Sequence, residues 1–161
     1  MATIYVGIGE LAASNSPDDV IKTMALGSCV AVIASTRDRR TAGLIHIALP
    51  DSSINKKMAQ EQPGMFADTG IPLLIQTMIR KSGVSGGGFL IKLAGGASIM
   101  DPNNTFNIGK RNILAVKKIL WANHLGAIAE DVGDNISRTV TLDVGHGRVI
   151  LSSPGRGEWE L

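Results

Sequence analysis

The stretch CVAVIASTRDRRTAGLIHIALP, residues 29–50, decides the fold. Two short apolar runs rich in β-branched residues, 30–35 and 41–49, flank the polar segment 36–40. Apolar runs of this length on either side of a polar turn are typical of a β-hairpin. The stretch therefore predicts two antiparallel strands.

The predicted hairpin carries Cys29 at the start of its first strand and His46 in its second. Opposed residues of an antiparallel pair have a constant index sum, and a turn centred near residues 37–39 gives a sum of about 75 to 77. At 75 the two side chains face each other, and at 77 they are diagonal neighbours on one face. At 76 they lie on opposite faces. Two of the three registers bring thiol and imidazole together.

Cys29 is the single cysteine of the chain, so it forms neither an internal disulfide nor a multi-cysteine metal site. If it performs chemistry, it acts as a nucleophile whose proton His46 accepts. The hydroxyl of Thr23 offers a third group to orient the imidazole, and Gly27 and Ser28 let the backbone turn so that amide N–H groups face a developing oxyanion. The alternatives are a buried, inert thiol and a threonine that merely occupies a strand.

Length and composition favour one domain, residues 1–161, with an aliphatic core: 44% of the residues are hydrophobic and only 4% aromatic. The net charge of +2 and the scattered basic residues give no nucleic-acid footprint. The three histidines lack metal-ligand spacing. The N-terminus lacks a signal-peptide pattern and no apolar run reaches membrane-spanning length, so we expect a cytoplasmic protein with no membrane insertion.

Elsewhere the pattern predicts strands alternating with two long helices, which indicates a layered α/β domain on a mixed sheet. The polar segment 51–64 is interpreted as a mobile loop. We expect helices over 66–81 and 107–124, and strands over 3–9, 89–94 (entered from the glycine run 86–88), 127–132, 138–143 and 148–152.

Several motifs, in order along nearly the whole chain, resemble the chemoreceptor glutamine deamidase (CheD) family. They are VGIGE (6–10), LGSCV (26–30), HIALP (46–50), AGGAS (94–98), NIGKRN (107–112), AED (129–131) and GRV (147–149).

The resemblance implies an α/β sandwich related to the catalytic domain of cytotoxic necrotizing factor toxins. It also implies a Cys-His-Thr site, with the nucleophile on Cys29, the base on His46 and the orienting hydroxyl on Thr23. Selected glutamines on the cytoplasmic helical bundle of methyl-accepting chemotaxis receptors would be the substrate, and the phosphatase CheC a partner in systems that have it. Some family members are described as receptor methylesterases as well. The mechanism needs no metal or organic cofactor.

Two positions depart from the family pattern. Asp134 follows Gly133 where a second glycine is common, and Phe66 stands where tyrosine is expected. Both departures concern loop shape and partner contacts. Two other functions stay open: a non-catalytic chemotaxis adaptor that binds receptor or CheC, and a small-amide hydrolase unrelated to chemotaxis.

Overall fold

The protein was analysed as a computed structural model, which describes residues 2–85, 88–99, 103 and 106–161. Its strands form two five-stranded mixed sheets. In spatial order, the first sheet contains β1 (Thr3–Tyr5), β3 (Val20–Leu26), β8 (Arg138–Asp143), β9 (Arg148–Ser153) and β10 (Gly157–Glu160). The second contains β2 (Leu11–Ser14), β5 (Ala42–Ile47), β4 (Val30–Thr36), β6 (Phe89–Gly95) and β7 (Ala127–Val132).

Within the described residues, three helices connect strands β5, β6 and β7 of the second sheet: α1 (Lys56–Glu61), α2 (Ala67–Ser82) and α3 (Ile108–Ala122). Single 3-10 turns cover Ser52–Ile54 and Pro63–Met65. The helix α2 ends at Gly83, whose left-handed backbone (φ 74°) suits glycine. In the part of the chain that the structure describes, no helix has the length and apolar character needed to cross a membrane.

Two apolar cores on opposite faces of the second sheet make the domain three layers thick. Alternation along β4 explains this, because Ala31 and Ile33 face the first sheet whereas Val30 and Val32 face the helices α2 and α3. Both sets are fully or almost fully buried. The layered α/β architecture expected from the sequence is confirmed, and it contains two sheets packed face to face.

The hairpin of β4 and β5 has the index sum of 77. Ala31 pairs with His46, and Val30 pairs with Ile47. Cys29, one residue before β4, packs against the core that Ala31 enters, on the face that meets the first sheet. Ala31 and its partner His46 share that face. The observed register is one of the two that put Cys29 and His46 on the same face.

Other sequence predictions need correction. The strand expected over 3–9 ends at Tyr5, and β2, β3 and β10 were missed. The segment 51–64 is not an irregular loop, because α1 and the two 3-10 turns occupy most of it. The other expected strands and both long helices are present with small shifts of their ends. Residues 86 and 87 of the predicted glycine run lie outside the described residues.

Candidate functional site

Thr23 and His46 meet between the two sheets, at the open end of the β4–β5 hairpin. Thr23 comes from β3 of the first sheet and His46 from β5 of the second. Both are buried, and Thr23 Oγ1 lies 2.7 Å from His46 Nδ1. The backbone of His46 is fixed on both sides, because its N–H donates to Glu10 and its carbonyl accepts from Gly9.

The partners of Thr23 determine which nitrogen of the imidazole carries the proton. Thr23 Oγ1 also lies 2.7 Å from the Val6 carbonyl oxygen, which can only accept. The single hydroxyl proton therefore goes to Val6, and the Nδ1–H of His46 donates to Thr23. The neutral ring is left with an unprotonated Nε2, which is buried and has no hydrogen-bond partner among the described residues. This is the tautomer that a general base requires.

Three consecutive carbonyl groups anchor the loop that carries the thiol. Gly27 accepts from the N–H of Ala97 (2.9 Å), and Cys29 accepts from the N–H of Gly96 (2.8 Å). Between them, the carbonyl of Ser28 accepts from the side-chain amide of Asn112 (2.9 Å). The loop leading into β4 is therefore held by hydrogen bonds from two other segments.

In the described structure, the N–H groups of Ser28 and Cys29 donate to no acceptor. Because a trans peptide points its N–H away from its carbonyl, the anchored carbonyls of Gly27 and Ser28 turn these donors away from Ala97 and Asn112. A pair of free, preorganised N–H groups beside a thiol is an arrangement that can stabilise an oxyanion.

Burial keeps both titrating groups of the site neutral. It raises the pKa of the Cys29 thiol above its ordinary value and lowers the pKa of His46 to about 4. Near neutral pH the resting pair is therefore thiol and imidazole, not thiolate and imidazolium. Proton transfer from sulfur to Nε2 belongs to the attack itself.

A cavity of about 260 Å³ lies against Gly27 and Ser28 and is also bordered by residues of segments 97–99 and 106–109. A larger cavity of about 610 Å³ lies at the opposite, turn end of the hairpin, around Arg39 and Arg40. Neither lining includes Thr23, Cys29 or His46, but the smaller cavity borders Gly27 and Ser28, the residues next to Cys29, so we assign the site to the open end.

The sequence interpretation gave no role to Asn112, a fully buried residue of α3. Its Nδ2 donates to the carbonyls of both Ser28 and Ala48. The sequence did mark Asn112 as the last residue of the NIGKRN motif. It could not show which groups Asn112 contacts, because the hydrogen-bond partners of an asparagine within a helix are not evident from the sequence.

Both departures from the family pattern fit the structure locally. Asp134 adopts the left-handed region (φ 57°), which aspartate tolerates better than most residues, and its carbonyl accepts from the N–H of Ser98. The ring of Phe66 is fully buried, so the absence of a hydroxyl leaves no polar atom to satisfy there. Among the described side chains, no group of three or more His, Cys, Asp or Glu residues is arranged to hold a metal ion.

No hydrogen bond joins Cys29 and His46 among the described residues. A thiol on the same face of the hairpin as a buried, oriented imidazole, next to free backbone N–H groups, is nevertheless the set of groups that thiol-dependent acyl-transfer enzymes use. Comparison with known proteins identifies the family of the chain. The family model described as "CheD chemotactic sensory transduction" matches residues 48–153. The protein named "Probable chemoreceptor glutamine deamidase CheD" of Syntrophotalea carbinolica is 51% identical over 100% of both chains. "Probable chemoreceptor glutamine deamidase CheD 1" of Syntrophus aciditrophicus is 42% identical over 96% of both. The chain belongs to the CheD family.

The fold is also similar to the crystal structure of a Neisseria meningitidis protein of family DUF152, with a TM-score of 0.51 and 9% identity. That alignment covers 84% of this chain and 65% of the other, and it supports the fold alone. The family model begins after Thr23, Cys29 and His46, whereas the full-length match to the Syntrophotalea carbinolica protein includes all three positions.

Proposed function

We propose that this protein is a glutamine deamidase of chemoreceptors that uses Cys29 as nucleophile, His46 as general base and acid, and Thr23 to orient the imidazole. The observation that carries the proposal is the 2.7 Å contact of Thr23 with His46 Nδ1, which leaves an unprotonated Nε2 on the face shared with Cys29. The printed names of the relatives supply the reaction and the kind of substrate.

The first half-reaction forms a thioester. Nε2 of His46 takes the Cys29 proton as sulfur attacks the carboxamide carbon of a receptor glutamine. The N–H groups of Ser28 and Cys29 donate to the oxyanion that forms. When the intermediate collapses, the C–N bond breaks, the nitrogen takes the proton held on Nε2, and ammonia leaves.

The second half-reaction hydrolyses the thioester. Nε2 accepts a proton from water as the water oxygen attacks the acyl carbon, and the C–S bond breaks. The proton on Nε2 returns to sulfur, which regenerates the thiol. The released glutamic acid ionises at neutral pH and adds a negative charge to the receptor helix, where it changes the electrostatics with residues one turn away.

The proposed setting is the cytoplasm, with the helical bundle of methyl-accepting chemotaxis receptors as substrate and CheC as a regulatory partner where it exists. The same site chemistry also fits a glutamyl methyl ester, with methanol leaving in place of ammonia. Methylesterase activity is therefore part of the proposal as a second reaction of the same thiol.

The test is conversion of glutamine to glutamate in a purified receptor cytoplasmic fragment, mapped by peptide mass spectrometry. We expect conversion by the wild type and none by Cys29→Ala or His46→Ala. A non-catalytic adaptor would bind the fragment but leave its mass unchanged. A small-amide hydrolase would release ammonia from free glutamine or short amides and spare the receptor fragment.

A further inference from the structure

Asn112 bridges the two strands that carry the proposed nucleophile and base. It projects from α3, whose first turn seats closely on residues 96–97 because Gly109 has no side chain; a Cβ there would lie 2.5 Å from the Ala97 carbonyl oxygen. From this helix the fully buried Asn112 donates to the carbonyl of Ser28 (2.9 Å) and to that of Ala48 (3.0 Å).

These two carbonyls lie where the β4–β5 ladder ends. The last pair is Val30 with Ile47, and beyond it the chains separate, since the N–H of Ala48 turns to the carbonyl of Met65. Asn112 therefore links the strands just past the point where they stop pairing. Only its NH₂ end can donate to two carbonyl oxygens, which fixes the orientation of the amide.

The fixed amide leaves Asn112 Oδ1 buried and without a hydrogen-bond partner among the described residues. A buried acceptor without a donor lowers the stability of the fold. The cost of this acceptor accompanies the stabilising effect of the two donated bonds, and those bonds also act on the neighbouring loop.

That effect follows from peptide geometry. The carbonyl of Ser28 and the N–H of Cys29 belong to one planar trans peptide, so the bond that holds the carbonyl also sets the direction of the N–H. Donation to the carbonyl polarises the same peptide and makes its N–H a stronger donor. The bond to Ala48 ties this donor to the strand that carries His46.

We infer that Asn112 is a positioning residue that aims the Cys29 N–H at the oxyanion of the acyl-transfer reaction. The inference rests on the proposed function of Cys29. It predicts an effect on the transition state, where the oxyanion exists, and little effect on substrate binding. In Asn112→Ala we expect kcat to fall at least tenfold while KM stays within about twofold.

The matched control is Val116→Ala. Val116 is fully buried on the same helix, one turn beyond Asn112, and packs in the core between α3 and the second sheet. Its truncation loosens α3 without removing a hydrogen bond from Ser28 or Ala48. We expect this variant to keep kcat within about threefold of the wild type at a comparable loss of thermal stability.

A second readout separates aiming of the N–H from general disorder of the loop. Alkylation of Cys29 by iodoacetamide displaces iodide and forms no oxyanion, so its rate in Asn112→Ala should stay within about threefold of the wild-type rate. If Asn112→Ala does not fold, Asn112→Ser takes its place in both assays. Serine retains a hydroxyl donor, but its shorter side chain has a single proton to donate and cannot bond to both carbonyls. For it too we expect a lower kcat with alkylation nearly unchanged.

Equal kcat in the Asn112 and Val116 variants, or loss of kcat and alkylation in parallel, would overturn the positioning role. Either result leaves the proposed function intact. Failure of the proposed function looks different: the wild type would leave receptor glutamines unchanged, or Cys29→Ala would convert them as fast as the wild type.

Discussion

Acidification should destabilise the protein through His46, and the size of the effect follows from burial of the ring. Burial lowers the pKa of His46 to about 4 in the folded protein, whereas a histidine in an unfolded chain has a pKa of about 6.5. Between these values the unfolded chain binds more protons, so the free energy of unfolding falls as the pH falls. The contribution of His46 to the free energy of unfolding is fully present above the pKa of the unfolded state. It is lost as the pH falls from that value to the pKa of His46 in the folded protein. From pH 7.5 to 4.5 it amounts to about 2.5 kcal/mol.

The assay is urea unfolding of the wild type and His46→Asn at both pH values. The shorter amide donates to Thr23 from near the position of Nδ1 and does not titrate. We expect the wild type to lose about 2.5 kcal/mol more than the variant between pH 7.5 and 4.5. Equal losses in the two proteins would refute the reasoning, because they would show that folding does not change the proton affinity of His46. The same pKa predicts an acid limb of kcat/KM near pH 4.

Three further predictions follow from individual contacts. Thr23→Val leaves the Nδ1–H of His46 buried without an acceptor, so we expect kcat to fall by about tenfold to a hundredfold. Thr23→Ser keeps the hydroxyl and should have a kcat close to that of the wild type. Equal kcat in the valine and serine variants would argue against the orienting role of Thr23. The side chain of Arg138 is 1% exposed and pairs with the carboxylate of Asp131 at 2.8 Å, so Arg138→Met should lower the free energy of unfolding in urea by about 3 kcal/mol. Arg148→Met breaks an exposed ion pair and should lower it by less than about 1 kcal/mol. Similar losses in the two variants would contradict the effect of burial. Because burial raises the pKa of Cys29, its rate of alkylation by iodoacetamide should still rise with pH above about 8.5, and a plateau below that pH would show a stabilised thiolate.

The β4–β5 hairpin could be predicted from sequence because its apolar runs and polar turn restrict the register to a few values. The turn sequence alone does not determine which of these registers forms. The structure shows the register that pairs Ala31 with His46. From the sequence, two of the three possible registers therefore predicted that Cys29 and His46 lie on the same face of the hairpin.

The strand β3, which carries Thr23, could not be recognised in the same way. Its core-facing side chains include a threonine, and a bulge between Thr23 and Leu26 breaks the alternation of period two. Ala25 in this bulge has a left-handed backbone (φ 50°), and an alanine in the sequence gives no indication of this conformation. The helix α1 was missed because four of its six residues are polar and none is buried.

The partnership of Thr23 with His46 and the bridge made by Asn112 depend on contacts between distant segments. Thr23 reaches the second sheet from the first, and Asn112 reaches two loops from a helix on the outer layer. Such contacts depend on how the layers pack, which local patterns do not encode. The family resemblance assigned a role to Thr23, but the direction of its hydrogen bonds came from the structure.

The central claim, a glutamyl thioester on Cys29, is tested most directly by trapping with hydroxylamine. Hydroxylamine attacks a thioester in competition with water and leaves a hydroxamate at the receptor residue that would otherwise become glutamate. Peptide mass spectrometry of the receptor fragment should show hydroxamate and glutamate at the same positions with the wild type, and neither product with Cys29→Ala. Conversion to glutamate at the wild-type rate by Cys29→Ala, with no hydroxamate from either protein, would contradict the account.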